Sequence, residues 1–342
     1  MGLPRLLLGG FLESATLEPQ RGLGAVTVLL PRAPVSLGAF LLLVCAAWGS
    51  DDPPVAVAIR GHAPLARPDF RTESDLVLIP VSVTDARNHA VTGLDRDAFR
   101  IYEDRIEQTV VQFAREDAPL SVGIVFDASE SMTGKLGKSR EAIRQFLRFA
   151  NPEDEFFLVE FSSRAELSVP FTTDSGAIES RLLMAQPRGT TALLDGVCLA
   201  IETMRHARYS RRALLVLSDG GDNHSRYSES EVRNRIRESD LWVYTMGLYE
   251  RPAGVRLVTP PDQKLLETLA SDSGGRHFRV DALADLPVVA ARISLELRNQ
   301  YVLGYRPANG RHDGQYHQVR VTVGDGRDLR VSWRPGYYGT IQ

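Results

Sequence analysis

The chain has 342 residues, of which 43% are hydrophobic and 24% are charged, with a formal net charge of −3. This length fits about two domains plus a leader, and the composition excludes a disordered chain. Charges of both signs are mixed along the sequence, without a basic cluster interleaved with aromatic residues, so we expect no nucleic-acid partner. The only cysteines, Cys45 and Cys198, are too few for a four-thiolate zinc site.

An apolar segment at residues 33–50 follows Arg32 and ends in small residues. This pattern is typical of a secretory signal peptide, so we expect export to the periplasm, the cell surface or the medium. The uncharged stretch also reaches the short limit of a membrane-spanning helix, which leaves an uncleaved N-terminal anchor or a buried helix as alternatives. We therefore assign residues 1–50 to a leader or anchor, and residues 51–74 to a linker.

Two segments rich in strand patterns flank the rest of the chain, at residues 75–118 and 300–342. The runs that predict strands lie at residues 76–84, 99–102, 109–113, 301–305, 317–323 and 329–333. A sheet of three strands buries too little apolar surface to be secure alone. We therefore predict that the two segments pair into one Ig-like β-sandwich, with two unconnected β appendages as the alternative.

Residues 119–299 alternate apolar strands with amphipathic helices. The run at 121–126 is apolar throughout, as in a strand covered on both faces, and the helix after it repeats apolar residues at helical spacing. Further strands are predicted at residues 156–161, 165–171, 212–217, 241–246 and 276–280, and further helices at 193–206, from the capping box at Ser228, at 265–270 and at 286–297. Such alternation predicts an α/β domain with a doubly wound, mostly parallel sheet.

The first strand of this domain ends in a short polar motif, Asp127-x-Ser129-x-Ser131. One carboxylate and two hydroxyls at alternate positions can converge on a hard cation such as Mg²⁺, which prefers oxygen ligands. The same residues could instead cap a helix start, so the motif alone leaves both interpretations open.

Two later segments favour the metal. Thr191 precedes a predicted helix, and Asp219 follows the predicted strand at 212–217. Open α/β sheets bind ligands outside the carboxyl ends of their strands, where the strand order reverses. In a 3-2-1-4-5 order the reversal falls between the strands that end in Asp127 and Asp219, so the fold brings the motifs together.

These residues resemble a von Willebrand factor A domain with a complete metal-ion-dependent adhesion site. The resemblance implies that Ser129 and Ser131 ligate the metal directly, and that Asp127 acts mainly through water. Thr191 would be a switchable hydroxyl, and Asp219 the second acidic partner. It further implies Mg²⁺ as the cofactor, with Mn²⁺ or Ca²⁺ as alternatives, and a protein partner that supplies a Glu or Asp carboxylate.

The flanking segments also resemble a family, the exported bacterial VWFA-related proteins common in acidobacteria. The resemblance rests on LVLIPVSVTD at residues 76–85, FRIYED at 99–104 and QYVLGY at 300–305, and it covers about residues 74 to 338. The chain departs from the domain pattern at Glu130, where the family commonly has glycine. Thr190 is adjacent to Thr191, and we choose Thr191 because Ala-Leu-x-Asp follows it.

We expect an exported binding module rather than an enzyme. The alternatives are a metal-assisted hydrolase that uses Asp219 or His224 as a base, and a structural envelope factor whose metal only stabilises the fold. A hydrolase needs a further catalytic partner, and the sequence contains neither a paired-histidine zinc motif nor a nucleophile elbow. The residues around Asp222 and Asn223 are interpreted as a polar loop.

Overall fold

Strands from both flanks and an α/β domain make up the fold of the computed structural model. The structure describes residues 76–116, 118–249, 261–307, 313–324 and 328–339. The predicted leader and linker lie outside the described residues. The strands are β1 (Val77–Thr84), β2 (Phe99–Glu103), β3 (Ile106–Gln108), β4 (Val110–Glu116), β5 (Ser121–Asp127), β6 (Glu155–Phe161), β7 (Ala165–Thr172), β8 (Arg212–Ser218), β9 (Trp242–Leu248), β10 (His277–Val280), β11 (Gln300–Tyr305), β12 (Tyr316–Val323), β13 (Arg330–Trp333) and β14 (Gly336–Tyr338). The helices are α1 (Leu136–Arg148), α2 (Ser175–Met184), α3 (Leu193–Met204), α4 (Glu229–Glu238), α5 (Pro261–Ser273) and α6 (Leu286–Arg298).

The α/β domain is built on a sheet of order β10-β9-β8-β5-β6-β7. Its neighbouring strands are parallel except for β6 and β7, which are antiparallel. Strands β5, β6 and β9 are buried along their whole length, because helices cover both faces of the sheet. Strand β5 lies between β6 and β8, as the predicted order requires. The prediction of an α/β domain with a mostly parallel sheet is confirmed.

A local sequence signal sets the start of helix α4. Helix α4 begins with a complete capping box, because the Glu231 main-chain N–H donates to the Ser228 hydroxyl while the Glu231 carboxylate accepts from Ser228 N at 2.8 Å. Cys198 is buried in α3, and burial raises the pKa of its thiol to about 11. Among the described helices, none is long and apolar enough to cross a membrane.

The two flanks pair with each other in both sheets of the β region. In one sheet, of order β13-β1-β11-β4, strand β11 lies between β1 and β4. In the other, of order β14-β12-β2-β3, strand β12 pairs with β2. Each sheet therefore takes strands from before and after the α/β domain, and this domain is inserted between the two halves of the β region. The Ig-like designation and the exact domain boundaries stay predictions.

The two β sheets share one hydrophobic core. Ile79, Val81 and Val83 of β1 face this core at 1% exposure or less. Phe99 of β2 packs across the sheets against Tyr301 of β11, with 5.0 Å between ring centroids. Because an isolated three-stranded sheet would leave such a face in water, the shared core explains why the flanks pair.

Helix α6 joins the α/β domain to the β region, and a buried ion pair sits beside this connection. The Arg276 guanidinium lies 2.6 Å from Glu296 of α6 and also donates to the side chain of Asn88, which follows β1. The Asn88 oxygen accepts a second bond from Arg330 at the start of β13. These contacts fasten the β region to the α/β domain within the unit Phe70–Gln342.

Candidate functional site

Three loops meet at the carboxyl edge of the parallel sheet. In the register of β5 and β8, Phe126 lies opposite Leu217, so Asp127 and the Ser218–Asp219 pair follow at the same level. The loop before α3 reaches this edge through two main-chain bonds. Glu130 N donates to Gly189 O at 3.1 Å, and Arg188 N donates to Ala128 O at 2.9 Å. The residues predicted from the sequence are thus brought to one edge of the sheet.

The Asp127 carboxylate is at the centre of the first loop and is completely buried. Its Oδ1 accepts from Ser129 N at 2.8 Å, and its Oδ2 accepts from the Ser218 hydroxyl at 2.5 Å. The hydroxyl oxygens of Ser129 and Ser131 lie 3.0 Å apart. Ser129 is buried, whereas Ser131 is exposed at the turn that leads towards α1.

The two adjacent threonines have different surroundings. The exposed Thr190 donates from both its main-chain N and its hydroxyl to the Ser163 hydroxyl, at 3.0 and 2.9 Å. Thr191 is buried, and its main chain is fixed to the 219–224 loop. Its N–H donates to the Asn223 side-chain oxygen at 3.0 Å, and its carbonyl accepts from Asn223 N and His224 N. The hydroxyl of Thr190 is therefore engaged elsewhere, while Thr191 is held at the junction of two loops.

Asp219 has a cationic partner that the sequence analysis did not identify. The Lys135 ammonium, one residue before α1, donates to Asp219 Oδ2 at 2.8 Å. Both side chains are largely buried, at 16% and 12% exposure. The two residues are 84 positions apart in the sequence. They meet because Lys135 follows β5, Asp219 follows β8, and these two strands are neighbours in the sheet. No local sequence pattern signals this pair.

Negative charge is concentrated at this edge. The pKa of Asp127 is raised to about 6, chiefly by burial and to a smaller extent by the neighbouring Asp219 carboxylate, while hydrogen bonds from Ser129 and Ser218 act in the opposite direction. A carboxylate in such a place gains from a nearby cation, because a bound positive charge offsets both burial and repulsion.

The donor set fits a small hard cation. Ligands at right angles around Mg²⁺, each about 2.1 Å from the ion, lie about 3.0 Å from each other. The Ser129 and Ser131 hydroxyls, which form a hydrogen bond with each other at 3.0 Å, are at a separation compatible with this value. Both Asp127 oxygens already accept hydrogen bonds, which suits a carboxylate that acts through water rather than by direct ligation. Few carboxylates and several hydroxyls form the kind of set that Mg²⁺ takes while keeping some of its waters.

The loop after Asp219 holds the structure of the site together. Asp222 caps α3 by accepting from Leu194 N at 3.0 Å. Asp195 in the first turn of α3 accepts from the main chain of Arg226 and Tyr227 and from the Arg226 guanidinium. Burial raises the pKa of Asp195, but these hydrogen bonds outweigh it and lower the pKa overall. These carboxylates are satisfied by protein donors and position the loop. The polar loop therefore holds α3 and Thr191 in position. The sequence alone did not indicate the contact between Asn223 and Thr191.

A second cluster of possible metal ligands lies in the β region. Glu103, Asp104 and His317 place one oxygen or nitrogen each within 4.8 Å of one another. Here protein donors surround the carboxylates. Glu103 Oε2 accepts from the Tyr305 and Tyr337 hydroxyls at 2.5 and 2.9 Å, and the ring of His317 contacts Asp104 at 3.0 Å. Hydrogen bonds and a histidine of the protein thus stabilise the carboxylates of this cluster.

Comparisons with known proteins agree with this architecture. Residues 122–221 match the family model of the von Willebrand factor type A domain. An uncharacterized protein of Borreliella burgdorferi is 29% identical over 142 residues, which cover 38% of this chain and 41% of that protein. Inter-alpha-trypsin inhibitor heavy chain 4 of Mus musculus is 27% identical over 187 residues, covering 50% of this chain and 19% of that protein. The chain thus spans less than half the length of both curated relatives.

Among solved structures, a von Willebrand factor type A protein from Catenulispora acidiphila aligns with a TM-score of 0.47 and 13% identity, covering 80% of this chain and 76% of that one. The strand order, the position of the loops and the family match define the class: an α/β domain of the von Willebrand factor A type. Residues 122–221 thus match a von Willebrand factor type A domain, and this domain is inserted between two halves of a β region. Membership of the exported bacterial subfamily stays a prediction.

Proposed function

We propose that the protein is an exported, Mg²⁺-dependent adhesion module that captures a protein partner through a Glu or Asp carboxylate. The observation that supports it most is the surplus of negative charge at the carboxyl edge of the sheet. Asp127 is completely buried beside Asp219, with Lys135 as the cation that contacts Asp219. A site with this charge and these hydroxyls suits a divalent cation.

The residues divide their roles as the family resemblance implies. Ser129 and Ser131 would hold the ion directly, Asp127 and Asp219 would act from the surrounding shell, and Thr191 would supply a hydroxyl. Mn²⁺ or Ca²⁺ could replace Mg²⁺. Because the protein supplies only two carboxylates, the bound ion would remain electrophilic and would accept an oxygen from the partner.

The proposal includes export and the absence of catalysis. Export rests on the apolar segment at residues 33–50, which lies outside the described residues. Fractionation of the source cells should place the protein outside the cytoplasm, either soluble or held by its N-terminus. Full-length chain found soluble in the cytosol would contradict export, and Mg²⁺-dependent turnover of simple ester or phosphoester substrates would contradict a pure binding role.

The binding role is tested by capture from an envelope extract in Mg²⁺ and in chelator. Immobilised wild-type protein should retain a partner in Mg²⁺ and release it on chelation. Asp219→Asn should retain none, because it removes half of the acidic charge of the site. Asp97→Asn removes an exposed carboxylate from the β region and should behave as wild type. Capture that is indifferent to the chelator and to Asp219→Asn would overturn the proposal.

A further inference from the structure

A cavity of about 610 Å³ shares a wall with the candidate metal site. Ala128 and Gly189 contribute to its lining. Ala128 lies between Asp127 and Ser129, and Gly189 O accepts from Glu130 N. The remaining lining comes from the end of β6, the turn into β7, the start of β7, the end of α2 and the segment that follows α2. A chain that reached the metal site could therefore continue into this cavity.

The cavity carries unbalanced positive charge. Three arginines and two glutamates line it. Arg181 is paired with Glu160 at 2.5 Å, and this pair is largely neutral. Among the described residues, neither Arg164 nor Arg188 has a carboxylate within ion-pair distance, and both are exposed.

The position of Arg188 is fixed at its main chain, because its N–H donates to Ala128 O at 2.9 Å. The remaining carboxylate of the lining, Glu166, lies opposite Glu160 across β6 and β7. Arg164 and Arg188 together exceed this single charge. Glu130 is exposed and brings a negative charge to the rim of the metal site, where it would repel an acidic partner. The excess positive charge of Arg164 and Arg188 would attract an acidic partner next to Glu130.

An exposed apolar side chain lines the cavity with these arginines. Met184, at the end of α2, lines the cavity and is 73% exposed, and its neighbour Leu183 is 63% exposed. An exposed large apolar side chain at the rim of a charged cavity gives a protein partner an apolar contact to bury.

We propose that the partner is a peptide segment with two acidic residues and an apolar residue. One carboxylate would bind the metal, the second would pair with Arg164 and Arg188 in the cavity, and the apolar side chain would pack on Met184. This inference rests on the proposed function and adds the chemical class of the partner. Paired acidic groups give specificity here, because each carboxylate meets a separate cation.

A phage-displayed library of random twelve-residue peptides tests the inference. The wild-type protein is loaded with Mg²⁺, and bound phage are eluted with chelator. The inference predicts that eluted peptides share two acidic positions and one large apolar position. A consensus with a single acidic residue would overturn the inference while the proposed function stands. If chelator elutes no enriched peptide, both are overturned.

Variants of the protein locate the second contact. With a selected diacidic peptide, Arg164→Gln/Arg188→Gln should bind about three- to tenfold more weakly, the loss expected for two partly exposed ion pairs. With the same peptide carrying glutamine at its second acidic position, the double variant and the wild type should bind equally. Arg148→Gln, which removes an exposed arginine at the far end of α1, is the matched control and should not change binding. Equal affinity of the double variant and the wild type for the diacidic peptide would overturn the inference.

Discussion

The α/β domain and the β region each bury a carboxylate, but they stabilise it in different ways. In the β region, Glu103 accepts from two tyrosine hydroxyls, and the histidine of the same cluster contacts carboxylates on both ring nitrogens. In the α/β domain, Asp127 has neutral donors and a second carboxylate as its neighbour. The first cluster is compensated by protein donors, whereas the second has Lys135 as its one cationic contact and is where we propose that a divalent cation binds.

The largest expected effect concerns the dependence of the β region on both of its halves. Deleting residues 301–342 removes β11 from between β1 and β4, and it removes β12 from beside β2. The amides of β1 and β2 should then lose their protection from hydrogen exchange, because their shared core is gone. Those of β5 and β8 should keep theirs. Retained protection in β1 and β2 would show that the first flank folds alone.

A smaller effect, on the free energy of unfolding, should come from removing a negative charge from the cluster of Glu103, Asp104 and His317. Glu103→Gln weakens two hydrogen bonds to a buried charged group, and we expect the free energy of unfolding to fall by about 1–3 kcal/mol. Denaturant titration measures this change, and Mg²⁺ affinity should not change. Glu107→Gln in β3 is the exposed control. An unchanged or raised stability in Glu103→Gln would mean that the cluster is not compensated and needs an ion of its own.

The smallest effect concerns Lys135. Replacing it with methionine keeps the length of the side chain but removes the ammonium that contacts Asp219. We expect Mg²⁺ affinity to rise by a few-fold, because no resident cation then competes for Asp219. The measurement is a Mg²⁺ titration of both proteins. A weaker affinity in Lys135→Met would instead show that the ammonium orients Asp219 for the metal.

The sequence was most informative where a pattern was long or continuous. The buried strands of the α/β sheet were predictable from apolar runs, and the meeting of Asp127 with Asp219 followed from the strand order. Helix α2 was missed, because it buries only Ile178 and Leu182 while its last two residues are apolar and exposed. Strands β3 and β14 were also missed, since three residues give no detectable alternation.

Details of the site that depend on the path of loops could not be predicted. Lys135 reaches Asp219, and Asn223 reaches Thr191, across separations of 84 and 32 residues. Such contacts arise from tertiary packing, and no local pattern encodes them. The choice of Thr191 over Thr190 came from a resemblance, and the assignment of the five metal residues stays a prediction until an ion is titrated.

The most direct test of the central claim is calorimetric titration of Mg²⁺ into the metal-free protein and two variants. Asp127→Asn keeps the shape of the buried side chain but removes its charge, and Asp97→Asn removes an exposed charge of the β region as a control. We predict saturable binding of one Mg²⁺ per chain by the wild type and by Asp97→Asn, and an affinity at least about tenfold lower for Asp127→Asn. Equal Mg²⁺ affinity in all three proteins, or no binding in any of them, would contradict the account.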